Sequence, residues 1–542
     1  MQFIQGQDRE QSVLFTDNLD GIVADDNEVR IIDLFVESIN ITDFKFVIKT
    51  TAEGRPAYHP KDLLKLYVYG YLNSIRSSRA LEKECKRNIE VMWLMKQLVP
   101  DHNTISNFRR DNEKAIRKVF RHTVSLAREF KLIGGILVAG DSTKLRAQNS
   151  KKNNFTPRKI EKHQAYIEAK LDEYNRALST ADNDNKKIIE KEIKKHEGRK
   201  AKYQAMQQQL EATGEVQIST SDPESRQLIT RNTITEVAYN VQTVVDAQHC
   251  IPIDYKVTNQ NDSKAMGGML RRSKVILQTN EFTALYDKGY HTGSEFETAN
   301  KIGVQVMVAI PETGSHAPDL NYDVVNFIYD KEKDTYTCPQ QQVLVTNGSW
   351  YKKNRGKSVT LVKHYKTNAC ETCPARNLCT RNPEGRLIER SQYAEYIEQN
   401  KTNIDANPQL YKKRQAIVEH PYGVIKRQWG FYYIMTKKGM KRASADVGFI
   451  FIAYNLRRIF NIVGQDVLKK FLKELGSLFS QINLVINAIC FKITNAIFSN
   501  TLHKSIFQPP ANRFKLIYIW GRNGVLRRTD VIGKRIGRHN NH

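Results

Sequence analysis

Cysteine is scarce, at seven in 542 residues, and so odd a complement without an export signal excludes a disulfide-built secreted fold. The opening MQFIQGQDREQ has neither a basic stretch leading into an apolar core nor an Arg-rich amphipathic pattern, so a cytoplasmic protein is expected. Long apolar runs are also missing. The nearest, INLVINAICFKITNAIF from Ile482 to Phe498, is short for a bilayer and carries Asn and Lys, so it reads as a buried or partner-facing helix and no membrane is expected. Acidic residues are in deficit: 58 Asp and Glu against 84 Lys and Arg leave a formal charge of +26. That charge would be unfavourable for a compact isolated chain but suits a polyanion whose counterions are released on binding. Nucleic acid is the expected partner, although a ribosome-associated or membrane-surface protein would share the composition.

What is present begins with helices. From Tyr58 to Phe130, apolar residues recur at three- and four-residue steps in HPKDLLKLYVYGYLNSI, RALEKECKRNIEVMWLMKQL and TISNFRRDNEKAIRKVFRHTVSLAREF. Asp101 and Thr104 can cap the third helix, whose first turns carry Ser106, Asn107, Arg109 and Arg110, side chains able to meet DNA phosphates or base edges. This is either a helix-turn-helix-like DNA reader or a helical packing domain with a solvated basic face.

Next, ILVAGD reads as a buried central strand ending in the carboxylate of Asp141. Residues 156–213, rich in Lys, Glu, Gln and Ala with a break at ADNDN, predict two long charged helices folded back on each other as an insertion. EVAYNVQTVVDA and IPIDYKVT read as a β-hairpin, Asp262 and Ser263 as caps of a helix, and FTALYD as a second short strand ending in Asp287. A helix from Ser294 to Ile302 and the strand VQVMVAIP complete a mixed sheet covered by helices, the order of an RNase H-like core in a multi-domain α/β protein.

Two carboxylates at the ends of separate core strands, in a basic chain with a third acid on a later helix, suit two Mg²⁺ or Mn²⁺ ions roughly 4 Å apart that clamp the attacking and leaving oxygens of a phosphodiester. Asp246, which also ends a strand, and Asp222 in STSDPESR compete for the second position. The blocks GDSTKLRAQNSKKN around Asp141, YNVQTVVDAQH from Tyr239, ALYDKGYHTG around Asp287 and RQAIVEHPYGVIKRQWGF around Glu419 resemble the signature blocks of bacterial insertion-sequence transposases of the DDE class. GRPAYHPKDLLKLYVYGYL and PDHNTISNFRR resemble the subgroup with a helical N-terminal domain and a cysteine-bearing insertion.

The resemblance implies cleavage at element ends by activated water and attack of a 3'-hydroxyl on target DNA, with double-stranded DNA as partner, a nucleoid-associated location and a homodimer that joins two ends. It makes Asp141, Asp287 and Glu419 the metal ligands. Lys426, seven residues after Glu419, spans close to two helical turns and would reach DNA with Arg427 and Lys288. Pro421 places Glu419 at or just before the start of its helix, where proline is tolerated. Tyr411 and Arg414 resemble the first half of a Tyr, Arg, Glu, Lys arrangement, with the Arg-to-Glu spacing one residue long, and are expected among the DNA contacts. A nuclease without strand transfer and a domesticated, noncatalytic DNA-binding protein are the alternatives.

Cys338, Cys370, Cys373 and Cys379 form C-x31-C-x2-C-x5-C, a donor set for a closed structural Zn²⁺ site, with His364 able to replace one ligand and plain buried cysteines as the other reading. Cys85, Cys250 and Cys490 are expected in cores. Trp429, Phe431, Tyr432 and Tyr433, among Arg427, Lys437 and Lys438, either stack on DNA or pack internally. From Arg513 to His542 eight basic residues face one Asp, a tail suited to DNA backbone. The expected division is a helical DNA-binding domain (1–130), a catalytic domain (131–465) with a helical hairpin (156–213) and a cysteine-rich zinc insertion (325–385), and a helical, basic extension (466–542).

Overall fold

The computed structural model describes residues 18–47, 56–231, 234–311, 317–355, 358–435 and 438–477. The Ile482–Phe498 segment, Cys490 and the basic tail from Arg513 lie outside them. The first helices are α1 (Glu28–Glu37), α2 (Pro60–Leu72), α3 (Ser78–Arg87), α4 (His102–Asp111) and α5 (Glu113–Glu129). Their starts follow local chemistry: Asn27 caps α1 through Val29 N–H, Asp101 caps α4 through Asn103 and Thr104 N–H, and Pro60 occupies the first turn of α2.

The central sheet is built from β1 (Leu137–Arg146), β2 (Arg226–Arg231), β3 (Ile234–Asp246), β4 (Ile251–Thr258), β5 (Thr283–Tyr286) and β6 (Gln305–Val308). Its order is β2-β3-β1-β5-β6, with β4 also on β3. β1 is antiparallel to β3 and parallel to β5, and β5 is parallel to β6. Between β1 and β2, α6 (Pro157–Thr180) and α7 (Asn183–Thr213) fold together over a small core of Phe155, Ile160, Met206 and Leu210. Helices α8 (Met266–Leu277) and α9 (Gly293–Lys301) follow β4 and β5.

After β6 come two small three-stranded sheets, β7 (Ile328–Asp330), β8 (Thr335–Thr337) and β9 (Val343–Val345), then β10 (Tyr351–Arg355), β11 (Ser358–Tyr365) and β12 (Ile388–Ser391). The chain returns through α10 (Ala394–Ala406) and α11 (Pro408–Tyr422), which cover the sheet face formed by Ala139, Val245, Leu285 and Met307.

Helix α12 (Met440–Val463) packs against both the N-terminal helices and the opposite sheet face, and all of them share one apolar core. Phe449 lies 4.8 Å from the ring of Tyr67 and 5.2 Å from that of Tyr71, and each such buried ring contributes about 1.5–3 kcal/mol. Gly448 permits the close approach: a Cβ there would stand 2.7 Å from both Ile116 Cγ2 and the Tyr255 hydroxyl. Among the described residues no single helix is long and apolar enough to cross a membrane.

Within this core Asp446 is fully buried and receives Arg76 at 2.5 Å, Arg109 at 3.3 Å, the Tyr71 hydroxyl and Met435 N–H. Burial alone would raise its carboxyl, and the two guanidiniums hold it below the ordinary range. Arg109, expected from sequence to meet DNA, is therefore buried at 4% exposure as the partner of a carboxylate on α12. Arg110 pairs with its neighbour Asp111 at 2.6 Å. In the sequence, the sign of this pairing is a lone acid in the apolar run ASADVGFIFIAYN, which needs a buried cation.

Candidate active site

The parallel pairing of β1 and β5 sets Ala139 opposite Leu285. Gly140 then passes under the ring of Tyr286, whose Cε1 would be 1.9 Å from a Cβ at that position. Asp141 follows on β1, and Asp287 is the first residue past the end of β5. β1 does not end at Asp141, as the sequence suggested, but continues to Arg146 because its polar second half pairs with β3, Ser142 to Gln242 and Lys144 to Asn240. Asp141 thus stands mid-strand, two residues past its last partner on β5.

The Asp141 carboxylate accepts Ser142 N–H at 2.6 Å and Arg414 of α11 at 3.2 Å. Burial pushes its carboxyl up to about 6; Asp287 adds to the rise, and Ser142 N–H and Arg414 oppose it. Asp287 accepts Gly289 N–H at 2.9 Å and so caps the turn Lys288–Tyr290, with Lys288 exposed beside it. From α11 the Tyr422 hydroxyl meets the Asp141 carbonyl at 3.2 Å and the Thr243 hydroxyl. Tyr411 donates to the Tyr286 carbonyl at 3.0 Å. Sequence reasoning offered Tyr411 and Arg414 as DNA contacts; their polar atoms turn instead onto the two aspartate strands. Tyr422 and Thr243 carried no sequence signal of their own.

Glu419 lies inside α11 near its end, not before the helix start, and Pro421 is inside the helix as well. Proline cannot donate to the preceding turn, and the helix runs on as a π-helical turn, Gly423–Gln428. Glu419 is exposed, accepts the Gln415 amide at 2.8 Å, and lines a cleft with Tyr422, Gly423, Lys426, Arg427 and Tyr432. Of the neighbouring aromatics, Phe431 is core, Trp429 is half-buried against it, and Tyr432 and Tyr433 are exposed.

The competing acids are spoken for. Asp246 accepts N–H groups from Gly134, Gly135 and Gln248, and Asp222 accepts the Tyr239 hydroxyl at 2.6 Å and Gly439 N–H at 3.0 Å. Both carboxylates tie loops together.

Cys338, Cys370, Cys373 and Cys379 line one small pocket with Phe327, Leu344 and Arg386. Burial pushes the Cys379 thiol up; Arg386 opposes the rise and the other three cysteines reinforce it. His364 does not join them; it stacks on Tyr351 at 4.4 Å. Among the described residues no group of three or more His, Cys, Asp or Glu is placed closely enough to hold an ion, which applies to the acidic trio and to the four thiols alike.

Residues 17–111 match the family model described as Transposase domain (DUF772), and residues 337–460 match the Transposase DDE domain, which contains Glu419. No curated protein matches the chain. Among solved structures, a piggyBac transposase synaptic complex with hairpin DNA overlaps 82% of this chain and 78% of its own, at 9% identity and a TM-score of 0.27, too weak to bear on the fold. Two transposase models match in chain order, one of them spanning the helix that closes over the paired aspartate strands, and together they support a transposase of the DDE class.

Proposed function

We propose that Asp141, Asp287 and Glu419 are the catalytic carboxylates of this transposase, serving DNA cleavage at element ends and transfer of the freed 3' strand to target DNA. The observation that carries the reading is the placement of Asp141 and Asp287 just past a shared parallel ladder, close enough for the charge of Asp287 to raise the Asp141 carboxyl. DDE domains work with divalent metal ions, and two Mg²⁺ or Mn²⁺ ions, when bound, would polarise the scissile phosphate and stabilise attacking and leaving oxygens. Oxygen donors from three carboxylates suit such hard cations. Closing the trio asks Glu419 to turn inward from the α11 cleft. Arg414 neutralises Asp141, Tyr422 fixes α11 over β1, and Lys426, Arg427 and Lys288 give phosphates a basic border.

Cys338, Cys370, Cys373 and Cys379 would close on a structural Zn²⁺, which the shared pocket of thiols supports. Holding two element ends calls for two copies of the chain, so the working form is a homodimer. The test is a joining assay with end-bearing DNA, Mg²⁺ and a target plasmid: cleaved 3' ends covalently joined to the plasmid support the reading, and cleavage without any joining would leave a nuclease.

A further inference from the structure

Asp262, expected to cap a helix, spends its carboxylate elsewhere. It opens a short turn, Asp262–Lys264, and reaches back to the sheet. One oxygen accepts the amides of Asn240 at 2.7 Å and Gln242 at 2.5 Å, and the other accepts Lys144 at 3.1 Å. Lys144 also donates to the Ser142 hydroxyl at 2.8 Å. Side chains alternate along a strand, so Ser142 and Lys144 share one face of β1 and meet Gln242 and Asn240 across the ladder, while Asp141 points to the other face.

The network extends to the second aspartate. The Gln242 carbonyl oxygen accepts the hydroxyl of Tyr290, the last residue of the turn that Asp287 caps. Asp262 also lies beside that turn: a Cβ at Gly289 would be 3.1 Å from Asp287 Oδ1 and 3.8 Å from Asp262 Oδ2. An unbroken path therefore runs from the Asp287 turn through Tyr290, Gln242, Asp262 and Lys144 to Ser142, the residue next to Asp141. Half-buried charge beside a reaction centre is costly unless fully paired, and a fully satisfied polar network rigidifies what it joins.

We propose that Asp262 is a positioning residue for strand cleavage: as the hub joining β1, β3 and the Asp287 turn, it fixes the separation of the Asp141 and Asp287 carboxylates. This rests on the reading of those two aspartates as metal-holding groups. It touches neither DNA nor ion.

The experiment compares Asp262→Asn, Lys144→Met, the double variant and Lys144→Arg, with Asp141→Ala alongside, in the full-length protein. Each single variant at the hub is expected to lower the cleavage rate about 10- to 100-fold, the range for outer-shell partners of metal ligands, and to raise the Mg²⁺ concentration for half-maximal cleavage. End-DNA affinity stays at the wild-type value, and any loss of stability leaves each variant fully folded at the assay temperature. The double variant is no worse than either single one, as expected of groups acting in one path, and Lys144→Arg restores most of the rate. Wild-type rates and Mg²⁺ midpoints in Asp262→Asn and Lys144→Met, with Asp141→Ala inactive, would overturn the proposal and leave the aspartate reading standing. Losses that follow weakened DNA binding or unfolding at the assay temperature would overturn it too. If Asp262→Asn does not fold, Lys144→Met, which leaves the carboxylate and its two amide donors in place, decides the matter. Cleavage by Asp141→Ala would instead overturn the underlying reading.

Discussion

Arg109 and Arg110 are neighbours in sequence and opposites in environment. Arg109 answers a buried carboxylate from a helix 337 residues away, whereas Arg110 pairs on the surface with the next residue. Arg109→Ala leaves Asp446 short of one cation in a dry core and should cost about 3–5 kcal/mol. Arg110→Ala should cost about 0–1 kcal/mol after solvent screening. Urea unfolding of the two variants measures the difference directly; equal losses would contradict the buried network. Sequence could not have separated them, because the identity of an arginine says nothing of a partner so remote. The placement of Asp141 and Asp287 beside core strands was legible for the opposite reason: each follows a short apolar run whose own pattern marks such a strand.

Elements were legible where their pattern is local. The strands around Val241 and Ile253, the charged helical hairpin and the helices from Pro60 onward all declare their periodicity. β1 past Asp141 did not, since DSTKLR is polar and becomes strand only because β3 pairs with it. The same holds for α11, where Pro421 suggests a helix start and tertiary packing instead carries the helix through it.

Two predictions belong to this scale. Gly448→Val forces a side chain into Ile116 and Tyr255, and the overpacking should destabilise the protein by about 1–3 kcal/mol in chemical unfolding. On the N-terminal helices, Lys65 of α2 lies 2.6 Å from Asp33 and 2.7 Å from Glu37 of α1. Burial would raise the Glu37 carboxyl, but Lys65 and Lys61 bring it down to about 2. A depressed carboxyl contributes stability above its unfolded value of 4.5 that is lost as pH falls toward 2. The thermal midpoint of Glu37→Gln should therefore fall less across that window than that of the wild type; parallel curves would remove the ion pair from the account of helix docking.

At the scale of the whole molecule, the +26 charge should make DNA affinity fall by about 1000-fold or more between 50 and 200 mM salt, the behaviour of a protein that displaces counterions from several phosphates. A flat salt dependence would contradict a backbone-dominated interface. The claim on which the chemistry turns is that three carboxylates from β1, the end of β5 and α11 act together. Its most direct measurement is Mg²⁺-dependent cleavage of end-bearing DNA by Asp141→Ala, Asp287→Ala and Glu419→Ala, each checked for DNA binding. Loss of cleavage in all three with binding retained is the predicted result; cleavage retained in any one of them would remove that residue from the site, and cleavage retained in all three would contradict the claim outright.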